Sequence, residues 1–286
     1  MESGFPREEW VETLVRQALA EDVGHRDVST AISVDPSAMG RGDLVSRDNG
    51  VVAGLPLLKL VYGLVDPAVS VEPVMADGTP VAPDSVVARL EGPLGSILTG
   101  ERTALNFLQN LGGIASLTAR YVAEVSGTSC RVLDTRKTLP GYRSLAKYAV
   151  LCGGGHNHRM GLYDRVMLKD NHWTAAAVGI EEMVVRARRE FPDLAIEVEV
   201  DTLDQLDQVL PLGVDWILLD NFTVVGTADA VARRDAAPVK TLLESSGNIT
   251  LESIAGYARV GVDGASVGRL THSAGALDLG LDLERR

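Results

Sequence analysis

The sequence predicts an α/β protein whose C-terminal half is an incomplete (β/α) barrel of parallel strands. Beyond Gly127, short apolar runs recur, and each closes on polar residues. Their ends are mostly about 20 to 35 residues apart, with helical spacing between some of them, as in Ile180–Phe191 and Thr202–Leu210. Serial βα units give a parallel sheet with helices outside it. Residues 130–270 are too few for eight full units, so the barrel is a reduced one. An open doubly wound sheet is the competing topology, but no GxGxxG or GxxxxGK[ST] loop supports it.

In chain order, Glu8 to Leu19 carries Trp10, Val11, Leu14, Val15, Ala18 and Leu19 at helical spacing. Gly40 to Glu91 reads as short β-type runs broken by turn signals such as Asp48-Asn49-Gly50 and Asp77-Gly78-Thr79-Pro80. A second helix runs from about Thr99 to Leu111, and Gly112-Gly113 interrupts it. The barrel strands follow: Val132-Leu133-Asp134, Val166-Met167-Leu168-Lys169-Asp170, Ile196 to Asp201, Trp216 to Asn221, Thr241 to Ser246 and Ala265 to Gly268. Their polar ends fall where barrels of this kind do chemistry, at the C-terminal ends of the strands.

The 286 residues suffice for two ordinary domains, or a barrel with an addition. A net charge of -12 argues against a nucleic-acid or anionic-membrane surface. No apolar run approaches the roughly 20 residues that span a bilayer. The acidic N-terminus lacks the pattern of a secretory leader. Cys130 and Cys152 read as buried thiols of a reducing cytoplasm. The charge is uneven: residues 1–129 sum to -8 and 173–286 to -9, while 130–172 sum to +5. These eight bases sit among Gly, Asn, Thr and His, which suits a pocket for a small polyanion better than a solvated helix face.

Arg136 and Lys137 follow the first barrel strand, and His158, Arg159 and Lys169 add donors. Arg matches carboxylate or phosphate with two parallel bonds, while Lys acts as a movable point charge. His156 and His158 lack a third ligand at zinc spacing. Glu197 and Glu199 alternate along one strand and so share a face. A buried pair of carboxylates there needs a cation or a sugar, and structural pairing with a local Arg or Lys is the competing reading for Glu197. Glu199 with Asp220, which closes the next strand, can hold ribose hydroxyls, stabilise a cationic sugar or bind Mg²⁺ through water. Ser246, Gly247 and Asn248 lead into a helix start whose N–H groups would cradle phosphate; Gly268 and His272 end the last strand. Ordinary capping turns are the competing reading for both loops.

These residues resemble the quinolinate phosphoribosyltransferases. The resemblance lies in Glu101 to Leu108, Asp134 to Gly141, Lys147 to Val150, Gly153–Gly155 with Asn157-His158-Arg159, and Leu168 to His172. It continues through Glu197 to Val200, Leu219 to Phe222, Glu244 to Gly247 and Leu270 to Ser273. It implies an N-terminal open-faced α/β sandwich over residues 1–113, with the tail 273–286 returning to it, and an incomplete barrel over 114–272. It also implies transfer of phosphoribosyl from phosphoribosyl pyrophosphate to quinolinate with decarboxylation, assisted by Mg²⁺ at Glu199 and Asp220. The resemblance assigns Arg136, His158, Arg159 and Lys169 to the quinolinate carboxylates, joined by Arg102 from the partner of a homodimer; whether such dimers stand alone or form a trimer of dimers is left open. Lys137, Glu199 and Asp220 would be catalytic. Ser246, Gly247, Asn248, Gly268 and His272 would hold ribose and phosphate. Asn248 departs from the family's usual second glycine, but Asn tolerates the left-handed region, so the turn can form. The alternatives are a same-fold paralogue of molybdenum-transport loci and a non-catalytic nucleotide- or anion-binding regulator, which would not need Lys137, Glu199 and Asp220 together.

Overall fold

The structure is a computed structural model and describes residues 4–6, 9–175 and 177–285; of Asp170, Thr174 and Arg285 it describes the backbone alone. Its first elements are α1 (Glu9–Val23), α2 (Val28–Ser33), β1 (Met39–Ser46), β2 (Gly50–Val51), α3 (Leu55–Val65), β3 (Ser70–Pro73), β4 (Pro80–Val81), β5 (Val86–Pro93) and α4 (Leu94–Glu124). The second half holds β6 (Arg131–Leu133), α5 (Arg143–Cys152), β7 (Val166–Leu168), α6 (Asp170–Ala175), α7 (Ile180–Glu190), β8 (Ile196–Val200), α8 (Leu203–Val209) and β9 (Trp216–Asp220). It ends with α9 (Val224–Ala236), β10 (Leu242–Ser246), α10 (Leu251–Arg259), β11 (Gly264–Ser266), α11 (Arg269–His272) and β12 (Leu279–Arg285).

The chain divides into two compact units. One is Met1–Ala119 with Ser144–Gly154 and Ser273–Arg286; the other is Arg120–Arg143 with Gly155–His272. In the first, an antiparallel sheet runs in the order β12-β1-β5-β3. Leu44, Ala88 and Leu90 are buried on one of its faces. Arg41, Asp43, Arg89 and Glu91 alternate with them on the other face, where Arg89 approaches Asp43 at 3.7 Å. An apolar face and a charged face on one sheet make an open-faced sandwich. Helix α1 forms where the periodicity predicts it and continues to Val23; Glu8 lies outside the described residues.

The structure departs from the sequence pattern at two helices. The region read as β-type throughout contains α3, in which Leu55, Leu57, Leu58, Val61 and Tyr62 are all buried. A nearly continuous apolar run has neither a 2- nor a 3.6-residue signature, so periodicity could not identify it. Its true start signal is Pro56 in the first turn, after Gly54 at φ 96°. Likewise, Gly112-Gly113 do not end a helix: α4 passes straight through them. A Cβ on Gly113 would lie 1.8 Å from the Gly275 carbonyl oxygen, and one on Gly112 would meet Leu277. The glycines let the returning tail lie directly on the helix backbone, where Leu277 N–H donates to the Gln109 carbonyl and the Gln109 amide donates to the Leu279 carbonyl.

The second unit holds a six-stranded parallel sheet in the order β6-β11-β10-β9-β8-β7. Beside β6, Leu133 forms a parallel bridge with His156, extending the sheet at that edge. Among the described residues no strand pairing joins β7 to this edge, so the barrel is incomplete. It is nevertheless curled: His158, two residues beyond the bridge, meets side chains of β8 and β10 across the interior.

Candidate active site

In a parallel ladder, paired residues share a face. Leu218 pairs with both Glu199 and Glu244, and Asp220 pairs with Ser246. Met167 pairs with Glu197, two residues before Glu199. Period-2 alternation therefore puts Met167, Glu197, Glu199, Leu218, Asp220, Glu244 and Ser246 on one face, and all but the deeper Glu197 line a cavity of about 320 Å³. Arg136 and Lys137 from the loop after β6, His158 and Arg159, and Lys169 at the end of β7 complete its wall. Its volume falls within the range of small-ligand sites.

Eight of the residues singled out in the sequence thus share one cavity: Arg136, Lys137, His158, Arg159, Lys169, Glu199, Asp220 and Ser246. Gly247 and Asn248 make the next turn at φ 99° and 49°. Asn248 does occupy the left-handed region, as its residue type permits. A Cβ on Gly247 would lie 2.2 Å from Asn221 Oδ1, so glycine is required there. Gly268 lies against Lys137 and His272, and Thr271 Oγ1 donates to the Lys137 carbonyl at 2.7 Å. Arg102 is exposed on α4 and is not part of the cavity wall. Of the eight bases in the positive segment, Arg131, Arg143, Lys147 and Arg165 also lie off the wall. Arg143 donates to the Met160 and Arg136 carbonyls, and Lys147 is fully buried on α5.

Asp134, fully buried at the end of β6, accepts the His158 N–H at 2.9 Å and so fixes the His158-Arg159 segment. Arg159 is held below the usual guanidinium range by burial and by the neighbouring Arg136. Two guanidinium groups on one cavity wall suit an anion. Lys169 Nζ is ion-paired with Glu199 Oε2, and Asn221 Nδ2 donates to Asp220 Oδ2 at 2.7 Å.

Beneath this wall lies a buried cluster. Glu197 Oε2 lies 3.0 Å from His158 Nε2 and 3.0 Å from Arg165 Nη1, so the structural pairing considered for Glu197 is present. Burial pushes Glu197 up, but His158 and Arg165 more than reverse this and hold it below the ordinary carboxylate value. Glu244 Oε2 is 3.4 Å from the same Nε2, and the Ser266 hydroxyl contacts Glu244 Oε1. Burial, then Glu197, holds Glu244 above the ordinary range. Burial opposes charge on His158, while the two carboxylates outweigh it and pull the ring up to about 9. The Arg159 N–H lies 2.7 Å from Nδ1, and Arg165 Nη1 lies 3.3 Å from Nε2. The ligand atoms of His158, Glu197 and Glu244 lie within 4.8 Å of one another, but Arg165 already supplies the cation a metal would bring. Sequence reasoning passed over Glu244, Arg165 and Ser266 as site residues. Glu244 was detectable as a third acid at an inward position and Arg165 only as one of the eight bases of the positive segment; nothing local marks Ser266.

A parallel barrel carrying cations and paired acids at its strand ends defines an enzyme that handles small polyanions. Models of the quinolinate phosphoribosyl transferase C-terminal and N-terminal domains match residues 114–282 and 27–111. The chain is 44% identical over 276 residues to a nicotinate-nucleotide pyrophosphorylase [carboxylating] of Mycobacterium leprae, covering 94% of this chain and 95% of that one. It is 39% identical to a probable nicotinate-nucleotide pyrophosphorylase [carboxylating] of Bacillus subtilis, covering 94% and 92%. The structure of the nicotinate-nucleotide pyrophosphorylase from Francisella tularensis superposes with a TM-score of 0.90 at 36% identity, covering 96% of each chain. The chain belongs to the quinolinate phosphoribosyl transferase family and is a phosphoribosyltransferase.

Proposed function

We propose that the chain transfers the phosphoribosyl group of phosphoribosyl pyrophosphate to quinolinate, releasing pyrophosphate and CO₂ and forming nicotinate mononucleotide. The observation that carries this reading is the single cavity holding Arg136, Lys137, Arg159 and Lys169 opposite Glu199 and Asp220. Both substrates are polyanions, and the ribose becomes cationic as pyrophosphate departs. The C1–O bond breaks with its electron pair going to pyrophosphate, and the pyridine nitrogen lone pair forms the new bond to C1. The carboxylates stabilise the cationic sugar, and the bases neutralise the leaving group. The quaternised ring then accepts the electron pair of the C–CO₂ bond, and that ring carbon takes a proton from water. No side chain is needed as a general base for this loss. Arg136, Arg159 and Lys169 grip the two carboxylates, with His158 beneath them. Ser246, Gly247, Asn248, Gly268 and His272 surround the 5′-phosphate and ribose.

Glu199 and Asp220 rise from adjacent strands into one cavity and offer only oxygen, the donor set that suits Mg²⁺ with retained water. Bound there, Mg²⁺ would supply charge neutralisation to the pyrophosphate. We also propose a homodimer, cytoplasmic in location, in which Arg102 reaches the partner's cavity. Leu162, Tyr163 and Phe191, 74%, 73% and 52% exposed, edge a groove that shares Arg136, Arg159 and Lys169 with the site. A second copy would cover this apolar rim.

The test offers the purified protein phosphoribosyl pyrophosphate and Mg²⁺ with quinolinate or with nicotinate. Mononucleotide and CO₂ are expected from quinolinate alone. Turnover of nicotinate without quinolinate turnover sinks the reading.

A further inference from the structure

The two arginines of the cavity wall come from different segments: Arg136 follows β6, and Arg159 follows His158. Both stand in irregular chain, so each segment needs anchors to hold its guanidinium group in place. Asp134 fixes the start of the second segment through the His158 N–H. Asp164 accepts the Met160 and Gly161 N–H groups at 2.6 and 2.9 Å. Arg143, the first residue of α5, bonds to both segments at once. Its Nη2 donates to the Arg136 carbonyl at 3.3 Å, its Nη1 to the Met160 carbonyl at 3.1 Å and its Nε to Thr138 Oγ1 at 3.2 Å. The Arg136 carbonyl also accepts the Thr138 N–H at 2.9 Å, which closes a tight turn around Lys137. Arg143 itself is not on the cavity wall, so what it can give the site is the placement of other groups.

We propose that Arg143 is a positioning residue that sets the spacing of Arg136 and Arg159, and with it the preference of the site for two adjacent carboxylates over one. The inference rests on the proposed reading of the cavity as a grip for a dicarboxylate. Its two carbonyl bonds act on the gripping arginines directly: one carbonyl is Arg136's own, and the other belongs to Met160, the residue after Arg159. A displaced peptide carries its side chain with it. Carboxylates on neighbouring ring carbons have one fixed separation, so a shift of either guanidinium group weakens a two-point grip more than a one-point grip. The planar fork is what the three bonds need. Three nitrogens in one rigid plane meet three acceptors, which a single ammonium nitrogen on a flexible stem does not reproduce. An ordinary structural staple would affect every ligand of the cavity alike; a spacing device acts on the dicarboxylate.

Arg143→Lys keeps the charge and removes the fork. Calorimetric titration of the full-length wild type should show benzene-1,2-dicarboxylate binding more tightly than benzoate, with no turnover involved. Arg143→Lys should lower the dicarboxylate affinity about tenfold, the equivalent of one charge-assisted contact, and leave that of benzoate within about twofold. In steady-state assays the quinolinate KM should rise about tenfold, with the phosphoribosyl pyrophosphate KM within about twofold of wild type. Thr138→Val, which removes one acceptor and keeps both carbonyl bonds, should move the same quantities in the same direction by less. An unchanged dicarboxylate-to-benzoate ratio in Arg143→Lys overturns the inference, as does an equal rise in both KM values. Should Arg143→Lys fold poorly by circular dichroism, Thr138→Val decides, and a ratio equal to that of wild type then overturns it. A wild type that binds both probes equally overturns the inference together with the dicarboxylate reading. A wild type that prefers the dicarboxylate yet does not turn over quinolinate counts against the reaction alone.

Discussion

At the scale of single residues, the site is a problem of charge placed under cover. Glu197 is fully buried, and its two close partners are what keep it ionised. Removing a buried ion-pair partner typically costs about 3–5 kcal/mol, because the other charge is left uncompensated. Glu197→Ala is therefore expected to lower unfolding stability by that order, as read by urea denaturation. The pH dependence follows from the depressed carboxyl: its contribution is complete above the ordinary value of 4.5 and is lost as pH falls through the folded-state value. Replacement by Gln should flatten the wild-type loss of stability on acidification below that pH. Asn248 makes a different case. At φ 49° it bears a left-handed backbone that costs most residues roughly 1–2 kcal/mol. Asn248→Ala should lose about 1 kcal/mol in the same assay, while Asn248→Gly should not.

At the scale of elements, two glycine positions show how context reverses one rule. Gly113, inside α4, carries the Gly275 carbonyl where a side chain would begin. Gly113→Ala should displace the returning tail and cost on the order of 1–3 kcal/mol, the usual range for overpacking. Gly63, inside α3, has nothing within 4 Å of the position of a Cβ. Gly63→Ala should instead raise stability by about 0.5–1 kcal/mol, the helix preference for Ala. Thermal melts of the two variants check both signs, and equal destabilisation would contradict the packing described for α4. The same contrast explains a misplaced helix end in the sequence reading. Gly-Gly is a break signal only when its backbone faces water; here a neighbouring backbone covers it.

At the scale of the whole molecule, the prediction concerns assembly. If Arg102 acts in a partner's cavity, Arg102→Ala and Lys169→Ala proteins are each expected to be weak alone. After subunit exchange, hybrid dimers should regain activity, because one of their two sites is intact. Proven exchange with no recovery would contradict the shared site. Among the described residues no helix is long and apolar enough to cross a membrane, in keeping with the absence of a long apolar run.

Strand-end residues were legible because parallel βα units place function by register: once Glu199, Asp220 and Ser246 fall at strand ends, a single cavity follows. The +5 segment was legible in part, since charge reveals composition but not direction, and Lys147 is buried within the first unit. Only the fold could bring Arg165, His158, Glu197 and Glu244 together, because they lie on separate segments with no shared spacing. Local order in the chain thus determined which residues stand at the barrel mouth and the chemistry they offer. Tertiary structure alone decided the floor beneath them. There, partners distant in sequence set which acids keep their charge, since the free energy of a buried proton depends on every group around it.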